Sequence, residues 1–278
     1  MSEDLTGKVA IVTGGGDGIG KRVSERLAQA GASVVIADVN EAGGKAVAAS
    51  LGDKGAFKRT DVSSQDQIRE LMAFTKEKFG RLDILVNNAG IGVERHPTLF
   101  EHDFADWHKV MDINVLGVMA ATRDGAKLMA ETGGGSIVNI SSIGGMGASA
   151  GNWIYQLSKS CVALFSKSAA LELGPYGVRV NCIAPGNIET DILARNFAGD
   201  LTGAAREERM NKLRSFLINR QPIQRQGVTD DIAEAILYYV SDRSSYVTGT
   251  LLPVDGGQVA GPFNPPGSNS LKSIMGEE

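Results

Sequence analysis

The chain has 278 residues, 42% of them hydrophobic and 22% charged, with a formal net charge of -4. That balance fits a folded globular protein with a sizeable core and excludes an intrinsically disordered chain. Weak net acidity without a long basic run argues against nucleic acid as a partner, because phosphate binding draws on clustered Lys and Arg. The start, Met1-Ser2-Glu3-Asp4, lacks the basic and apolar regions of a signal peptide. No apolar run approaches the ~20 residues that span a bilayer. A soluble, cytoplasmic protein without a membrane partner is the expectation.

Short β-branched runs alternate with helical patterns, which indicates βαβ units and a parallel sheet. Val9 to Val12 reads as the first strand, and Ile19, Val23, Leu27 and Ala30 then recur at helical spacing until Gly31. Ser33 to Ala37 is the second strand, Glu41 to Ser50 a helix, and Gly55 to Thr60 a short third strand. Ser64 to Phe79 is helical and closed by Gly80, and Ile84 to Val86 forms a fourth strand. Phe104 to Met129 holds one long helix or two joined ones, and Ser136 to Ile140 is a fifth strand. A helix over Trp153 to Leu173 carries the stripe Leu157, Cys161, Leu164, Ser168 and Leu171. That stripe lies about 200° around the helix from Tyr155, so Tyr155 and Lys159 are expected to face away from the side that packs most heavily. Val178 to Ala184 is the sixth strand, Thr229 to Tyr239 a helix with Thr229 as N-cap, and Thr250 to Val254 the last strand.

Two segments fall outside this rhythm. Residues 189–226 read as a polar helical insertion of mixed charge, expected to be a substrate lid. From Gly261 a Pro/Gly-rich tail runs to residue 278. Cys161 and Cys182 sit in apolar stretches and are expected to be buried and reduced. Neither has a second Cys or a His at ligand spacing, so no metal site is expected. His96, His102 and His108 recur every six residues, which places them on different helix faces.

The chemistry is concentrated at two places. Thr13-Gly14-Gly15-Gly16-Asp17-Gly18-Ile19-Gly20 joins the first strand to the first helix, where glycines permit a tight turn and close approach of a pyrophosphate to the helix N-terminus. Its Gly14, Gly18, Gly20 spacing departs from the strict Gly-x-Gly-x-x-Gly, and the strand-loop-helix setting carries the dinucleotide reading. Asp38 ends the second strand, where a carboxylate accepts from ribose hydroxyls and repels a 2′-phosphate. Val39 and Asn40 follow without a cation, and Asp17 adds negative charge, so NAD is expected over NADP. The second place is Tyr155-Gln156-Leu157-Ser158-Lys159, with Ser142 thirteen residues before Tyr155. Residues four apart share a helix face, so Lys159 is expected to lower the phenol pKa of Tyr155 from its usual ~10. A tyrosine so activated exchanges a proton with an alcohol or carbonyl, while the Ser142 hydroxyl holds the substrate oxygen.

Together these pieces resemble the short-chain dehydrogenase/reductase family. The likeness runs from Gly7 to about Gly257 and includes Asn87-Asn88-Ala89-Gly90, Asn114 in Asp112-Ile113-Asn114-Val115, Ser141-Ser142, and Pro185-Gly186 with Thr190 beyond. The resemblance implies a single doubly wound α/β domain of Rossmann type over residues 1–260, with a seven-stranded parallel sheet. It implies a catalytic group of Asn114, Ser142, Tyr155 and Lys159, with Lys159 also bonding the nicotinamide ribose and Asn114 supporting a water relay. Ser141, the rival to Ser142, is left as its structural neighbour by the spacing. Gly14, Asp17, Gly18, Ile19, Gly20, Asp38, Asp61, Val62, Asn88, Ala89 and Gly90 would line the cofactor with Tyr155 and Lys159, and Pro185, Gly186, Ile188 and Thr190 would serve its carboxamide end. A homotetramer or dimer is implied, with long central helices between subunits.

The expected pocket walls are Gly92 to Phe100, Ile143 to Trp153 and residues 189–226. The second wall carries no charge, which favours an apolar secondary alcohol or ketone, alicyclic or steroid-like. Glu94, Arg95 and His96 are taken as solvated loop residues. The alternatives are an NADPH-dependent 3-oxoacyl-type ketoreductase, which a basic surface would favour, and a non-catalytic dinucleotide sensor. Nothing in pure binding requires Lys159 four residues after Tyr155.

Overall fold

The computed structural model describes residues 4–93, 98–188 and 201–263. Glu94, Arg95, His96 and Thr190, the first part of the expected lid and the tail from residue 264 lie outside the described residues.

Seven strands form one sheet: β1 (Val9–Thr13), β2 (Ser33–Asp38), β3 (Gly55–Arg59), β4 (Ile84–Asn87), β5 (Gly135–Ile140), β6 (Val178–Pro185) and β7 (Leu251–Val254). Their order is β3-β2-β1-β4-β5-β6-β7 and every neighbouring pair is parallel. The helices are α1 (Gly18–Gln29), α2 (Glu41–Ser50), α3 (Gln65–Phe79), α4 (Trp107–Met111), α5 (Gly117–Ala130), α6 (Trp153–Leu173), α7 (Gly203–Ile218) and α8 (Thr229–Val240). This is the Rossmann-like α/β arrangement anticipated from the strand-helix alternation.

The strands lack polar-apolar alternation because both faces are covered. Ala10, Val12, Val34, Ile36, Ile84 and Val86 point to one side and join Val23, Leu27, Val47, Ile232 and Ile236 of α1, α2 and α8. Ile11, Val35, Leu85 and Ile137 point to the other and join Ile68, Leu71, Met129, Ala169 and Ala170 of α3, α5 and α6. The strand order reverses direction between β1 and β4, and a crevice opens there at the carboxyl ends. The loops after β1, β4, β5 and β6 gather at that end, and they carry most of the residues singled out in the sequence.

Helix starts follow local chemistry. Asn40 Oδ1 accepts from Gly43 N at 3.1 Å, and Ser64 Oγ accepts from Gln67 N at 3.3 Å. α3 stops at Gly80, whose φ of 78° is left-handed. Thr229 is not the N-cap of α8. It is the first helical residue, and the end is closed by Asp231, whose carboxylate accepts from the N–H of Val228 at 2.9 Å. The acid three residues in reaches back, as in a capping box, without a hydroxyl partner.

The expectation for α6 is overturned. Leu157, Leu164 and Leu171 are exposed, and so is Cys161, which had been expected to be buried. The face that packs is Ile154, Ser158, Lys159, Val162, Ala163, Ser166, Ala169 and Ala170. Small residues let the helix lie close on the sheet, while hydroxyls find partners there, so the apolar stripe misled. Lys159 therefore lies on the packed face, only 5% exposed. Of the two readings for Phe104 to Met129, the structure shows two joined helices, α4 and α5, with a π turn over Asp112–Leu116 between them.

Candidate active site

The loop after β1 is shaped by close approach. Gly14 has φ 62° and Gly18 φ 53°, both left-handed. A Cβ on Gly20 would sit 2.0 Å from the Gly14 carbonyl oxygen and 2.5 Å from Asn88 Nδ2. Asn88 Nδ2 donates to the carbonyls of Thr13 and Gly14, each at 3.0 Å, and so ties the β4 loop to the β1 loop. Thr13 Oγ1 accepts from the N–H groups of Asn88 and Ala89 at 3.1 Å each. Asp17 caps α1, accepting from Gly18 N at 2.7 Å. Asp38 Oδ2 accepts from Gly16 N at 2.9 Å and its Oδ1 from Asn40 N at 2.9 Å.

Between these loops lies a cleft of about 330 Å³. Gly14, Asp17, Gly18, Ile19, Asp38, Asp61, Val62, Asn88, Ala89 and Gly90 line it together. So do Val39, Thr60, Ile91 and Ile113, which the sequence reading had not assigned to the cofactor. Each of these four adjoins a named residue, which was the available signal. Gly20 lies beneath the cleft as a buried packing position. The β2–β3 register sets Arg59 opposite Asp38, a cation not weighed in the sequence, and its guanidinium pairs with Glu41 at 3.8 Å. A glycine cradle without room for Cβ atoms, free helix N–H groups and an acceptor carboxylate at the strand end form a donor set that fits a dinucleotide.

Pro185 ends β6, and Gly186 follows, its N–H donating to the Val254 carbonyl at 3.0 Å. Ile188 bridges in parallel to Gly227 and borders a separate cavity of about 520 Å³ with Gln221 and Asp255. None of these three lines the β1–β4 cleft.

The residues expected to transfer the proton come from three elements. Ser142 starts a tight turn after β5, its Oγ accepting from Gly144 N at 3.0 Å. A Cβ on Gly145 would lie 2.6 Å from the Lys159 carbonyl carbon, so glycine there seats the turn against α6. A Cβ on Gly144 would lie 3.4 Å from Ser142 Oγ and 3.7 Å from Tyr155 Cε1, so the turn brings the two side chains together. Lys159 Nζ donates to the Ile140 carbonyl at 2.9 Å, and the Ser141 hydroxyl donates to the Lys159 carbonyl at 2.7 Å. Asn114 is fully buried in the π turn. Its Oδ1 accepts from Ile91 N at 2.9 Å, and its Nδ2 donates to the Ile91 carbonyl and to Ser158 Oγ, both at 3.0 Å. A Cβ on Gly90 would be 3.2 Å from both Asn114 Oδ1 and Lys159 Nζ, so these three residues converge.

The electrostatics differ from the sequence expectation. Burial pushes the Tyr155 phenol above its ordinary pKa, and the nearby Ser142 hydroxyl only partly offsets this. Lys159 does not lower it. Its ammonium lies 5.9 Å from the Tyr155 ring centroid, bonds to Ile140 instead, and is itself pushed down to about 8 by burial. Buried Cys182 beside it is raised to about 11, also by burial.

A family model described as enoyl-(acyl carrier protein) reductase matches residues 14–258. Cis-4-hydroxycyclohexanecarboxylate dehydrogenase of Sinomonas cyclohexanicum is 39% identical over 263 residues, covering 94% of this chain and 100% of the relative. A 2,5-dichloro-2,5-cyclohexadiene-1,4-diol dehydrogenase of Sphingobium indicum is 37% identical, covering 94% of this chain and 100% of its own length. The crystal structure of levodione reductase superposes with a TM-score of 0.83 at 33% identity, covering 92% of this chain and 98% of that one. Among the described residues no helix is long and apolar enough to cross a membrane. With matches of this extent on the fold and loops described above, the chain belongs to the short-chain dehydrogenase/reductase family of oxidoreductases.

Proposed function

We propose that the protein interconverts a cyclic secondary alcohol and its ketone, with NAD as cofactor. The convergence of Ser142, Tyr155, Lys159 and Asn114 beside the β1–β4 cleft carries this reading. Relatives named for ring alcohols support an alicyclic substrate. The uncharged wall from Ile143 to Ala150 fits such a ring.

Gly14, Asp17, Gly18, Ile19, Asp38, Asp61, Val62, Asn88, Ala89 and Gly90 would hold the dinucleotide, with Gly20 supporting the loop from below. Pro185, Gly186, Ile188 and Thr190 are proposed for its carboxamide end. Bound NAD supplies hydride acceptance at the carbinol carbon. The Tyr155 phenol takes the hydroxyl proton in oxidation and returns it in reduction. Ser142 donates to the substrate oxygen and steadies the phenol. The Lys159 ammonium, held by its bond to the Ile140 carbonyl, would hold the nicotinamide ribose. Asp38 favours NAD because a 2′-phosphate beside its carboxylate would be repelled.

Leu116 of the π turn, Met119 of α5, and Phe165 and Leu173 of α6 line a groove of about 600 Å³. We read this face as the contact between copies in a homotetramer. Two free thiols, one exposed, suit a reducing cytoplasm. Absorbance assays of NAD and NADP reduction against secondary alcohols test the reaction. Tyr155→Phe is expected to fold and bind NAD while losing ~10²–10⁴ of turnover. Turnover at the wild-type rate in that variant would refute the assignment.

A further inference from the structure

We propose that Ser158 is a positioning residue for the reaction, which acts through Asn114 to hold the cleft wall at Gly90 and Ile91 against the turn of α6 that carries Tyr155. The proposal rests on the dehydrogenase reading above and deepens it.

Asn114 has an amide with no hydrogen to spare. Its Oδ1 accepts from Ile91 N at 2.9 Å, and its Nδ2 donates to the Ile91 carbonyl and to Ser158 Oγ, both at 3.0 Å. It therefore grips both backbone groups of Ile91, which lines the β1–β4 cleft beside Gly90. Ser158 is the third point of attachment. Its one hydroxyl hydrogen goes to the Tyr155 carbonyl at 2.7 Å, so toward Asn114 it can only accept. Ser158 and Asn114 are both 0% exposed, so water cannot replace either partner.

A chain of bonds thus runs from the Tyr155 backbone through Ser158 and Asn114 to Ile91. It joins the first turns of α6, the π turn and the loop after β4. Strand pairing does not fix that loop, because β4 ends at Asn87. A Cβ on Gly90 would lie 3.2 Å from both Asn114 Oδ1 and Lys159 Nζ, so slack at Asn114 reaches the wall that faces Lys159. Proton and hydride leave the same carbinol group for two different acceptors, and a misplacement of about 1 Å costs about 10²-fold in rate.

α6 supplies its own contrast. Ser166 repeats the arrangement ~12 Å further along the helix. It is fully buried, donates to the Val162 carbonyl at 2.7 Å and accepts from Asn139 Nδ2 at 2.9 Å. Asn139 in turn accepts from Asn87 within the sheet, and neither asparagine lines the cleft.

The test compares Ser158→Ala with Ser166→Ala, which removes the same pair of bonds. Cyclohexanol with NAD is the substrate. The readouts are kcat, KM, NADH fluorescence titration, the urea midpoint and amide hydrogen exchange at Ile91. Both variants should fold, alanine being a good helix former, with similar losses in midpoint. Ser158→Ala should lose about tenfold or more in kcat, with KM and NADH affinity within about twofold of wild type. Deuterium at the carbinol carbon should slow this variant at least as much as it slows wild type. Ser166→Ala should keep its kcat, and Ser158→Thr, which retains the hydroxyl, should recover most of the loss. The Ile91 N–H should exchange about tenfold faster in Ser158→Ala than in Ser166→Ala. A wild-type kcat in Ser158→Ala, an equal kcat loss in Ser166→Ala, or equal Ile91 exchange in the two variants would overturn the proposal. Failure of the wild type to oxidise cyclohexanol would instead count against the cyclic-alcohol reading, and the exchange comparison would still decide whether Ser158 holds the cleft wall.

Discussion

Gly20→Ala tests whether the loop after β1 is a tight cradle or a slack glycine turn. The added Cβ would start 2.0 Å from the Gly14 carbonyl oxygen, and ordinary contact begins at 3.4 Å, so the loop must give by about 1.4 Å. Gly14 is not free to move, because Asn88 Nδ2 holds its carbonyl and that of Thr13. Overpacking of this kind costs ~1–3 kcal/mol, and each weakened hydrogen bond adds ~1 kcal/mol. Alanine recovers ~1 kcal/mol through its helix propensity, since Gly20 lies in the first turn of α1. The net is a loss of roughly 1–3 kcal/mol, together with weaker NADH binding because the N–H groups of the loop are displaced. Urea unfolding of the ligand-free protein and NADH fluorescence titration read the two effects. Gly147→Ala is the control, as a Cβ there meets nothing within 4 Å. A Gly20→Ala protein with wild-type midpoint and wild-type NADH affinity would refute the argument and restore the slack-turn reading.

Asn139 is fully buried, accepts from Asn87 Nδ2 at 2.8 Å and donates to Ser166 Oγ at 2.9 Å, joining β4, β5 and α6. Asn139→Leu should lower stability by ~2–4 kcal/mol, read as a shift of the urea midpoint, and a shift below ~0.5 kcal/mol would contradict it. Burial pushes the Lys159 ammonium down to about 8 from its ordinary 10.5, so the unfolded chain binds more protons between those values. Stability of the ligand-free protein should therefore rise with pH from about 8 to about 10.5, by about 3 kcal/mol at ~1.36 kcal/mol per unit. Lys159→Met should flatten that slope, and the same slope in both proteins would remove Lys159 as its source. Asp38→Asn should raise NADP use relative to NAD by about tenfold or more, the equivalent of ~1.4 kcal/mol of relieved repulsion. An unaltered ratio of kcat/KM values would mean that Arg59 or another group sets the preference.

The sheet was legible because strands buried on both faces leave compact β-branched runs, as at Val9 to Val12 and Ser33 to Ala37. The cleft was legible because Gly14, Asp38 and Asn88 sit at or just after strand ends, where strand direction alone brings them together. What failed was the orientation of α6. Periodicity assumes that large apolar residues face the core, yet Leu164 and Leu171 are outside while Ser158 and Ser166 are inside. The hydroxyls of both are satisfied within α6, by the carbonyls of Tyr155 and Val162. The phenol shift failed for a different reason: four-residue spacing predicts proximity, whereas burial of both groups decides the sign. The π turn left no mark in composition, since Asp112 to Leu116 suits an ordinary helix equally well.

That turn has a consequence for how the chain tolerates change. Each residue in an α-helix advances ~100°, and a π turn takes up an added residue without breaking the backbone ladder. Loss of one residue between Asp112 and Leu116 would let α4 and α5 merge into a continuous rod, still helical and still able to cover the sheet. The same loss would swing Asn114 by about a quarter turn, away from Ile91 and Ser158. Here a single deletion would leave the scaffold standing and its chemistry disconnected, which makes this crease the thinnest margin between a folded chain and a working one.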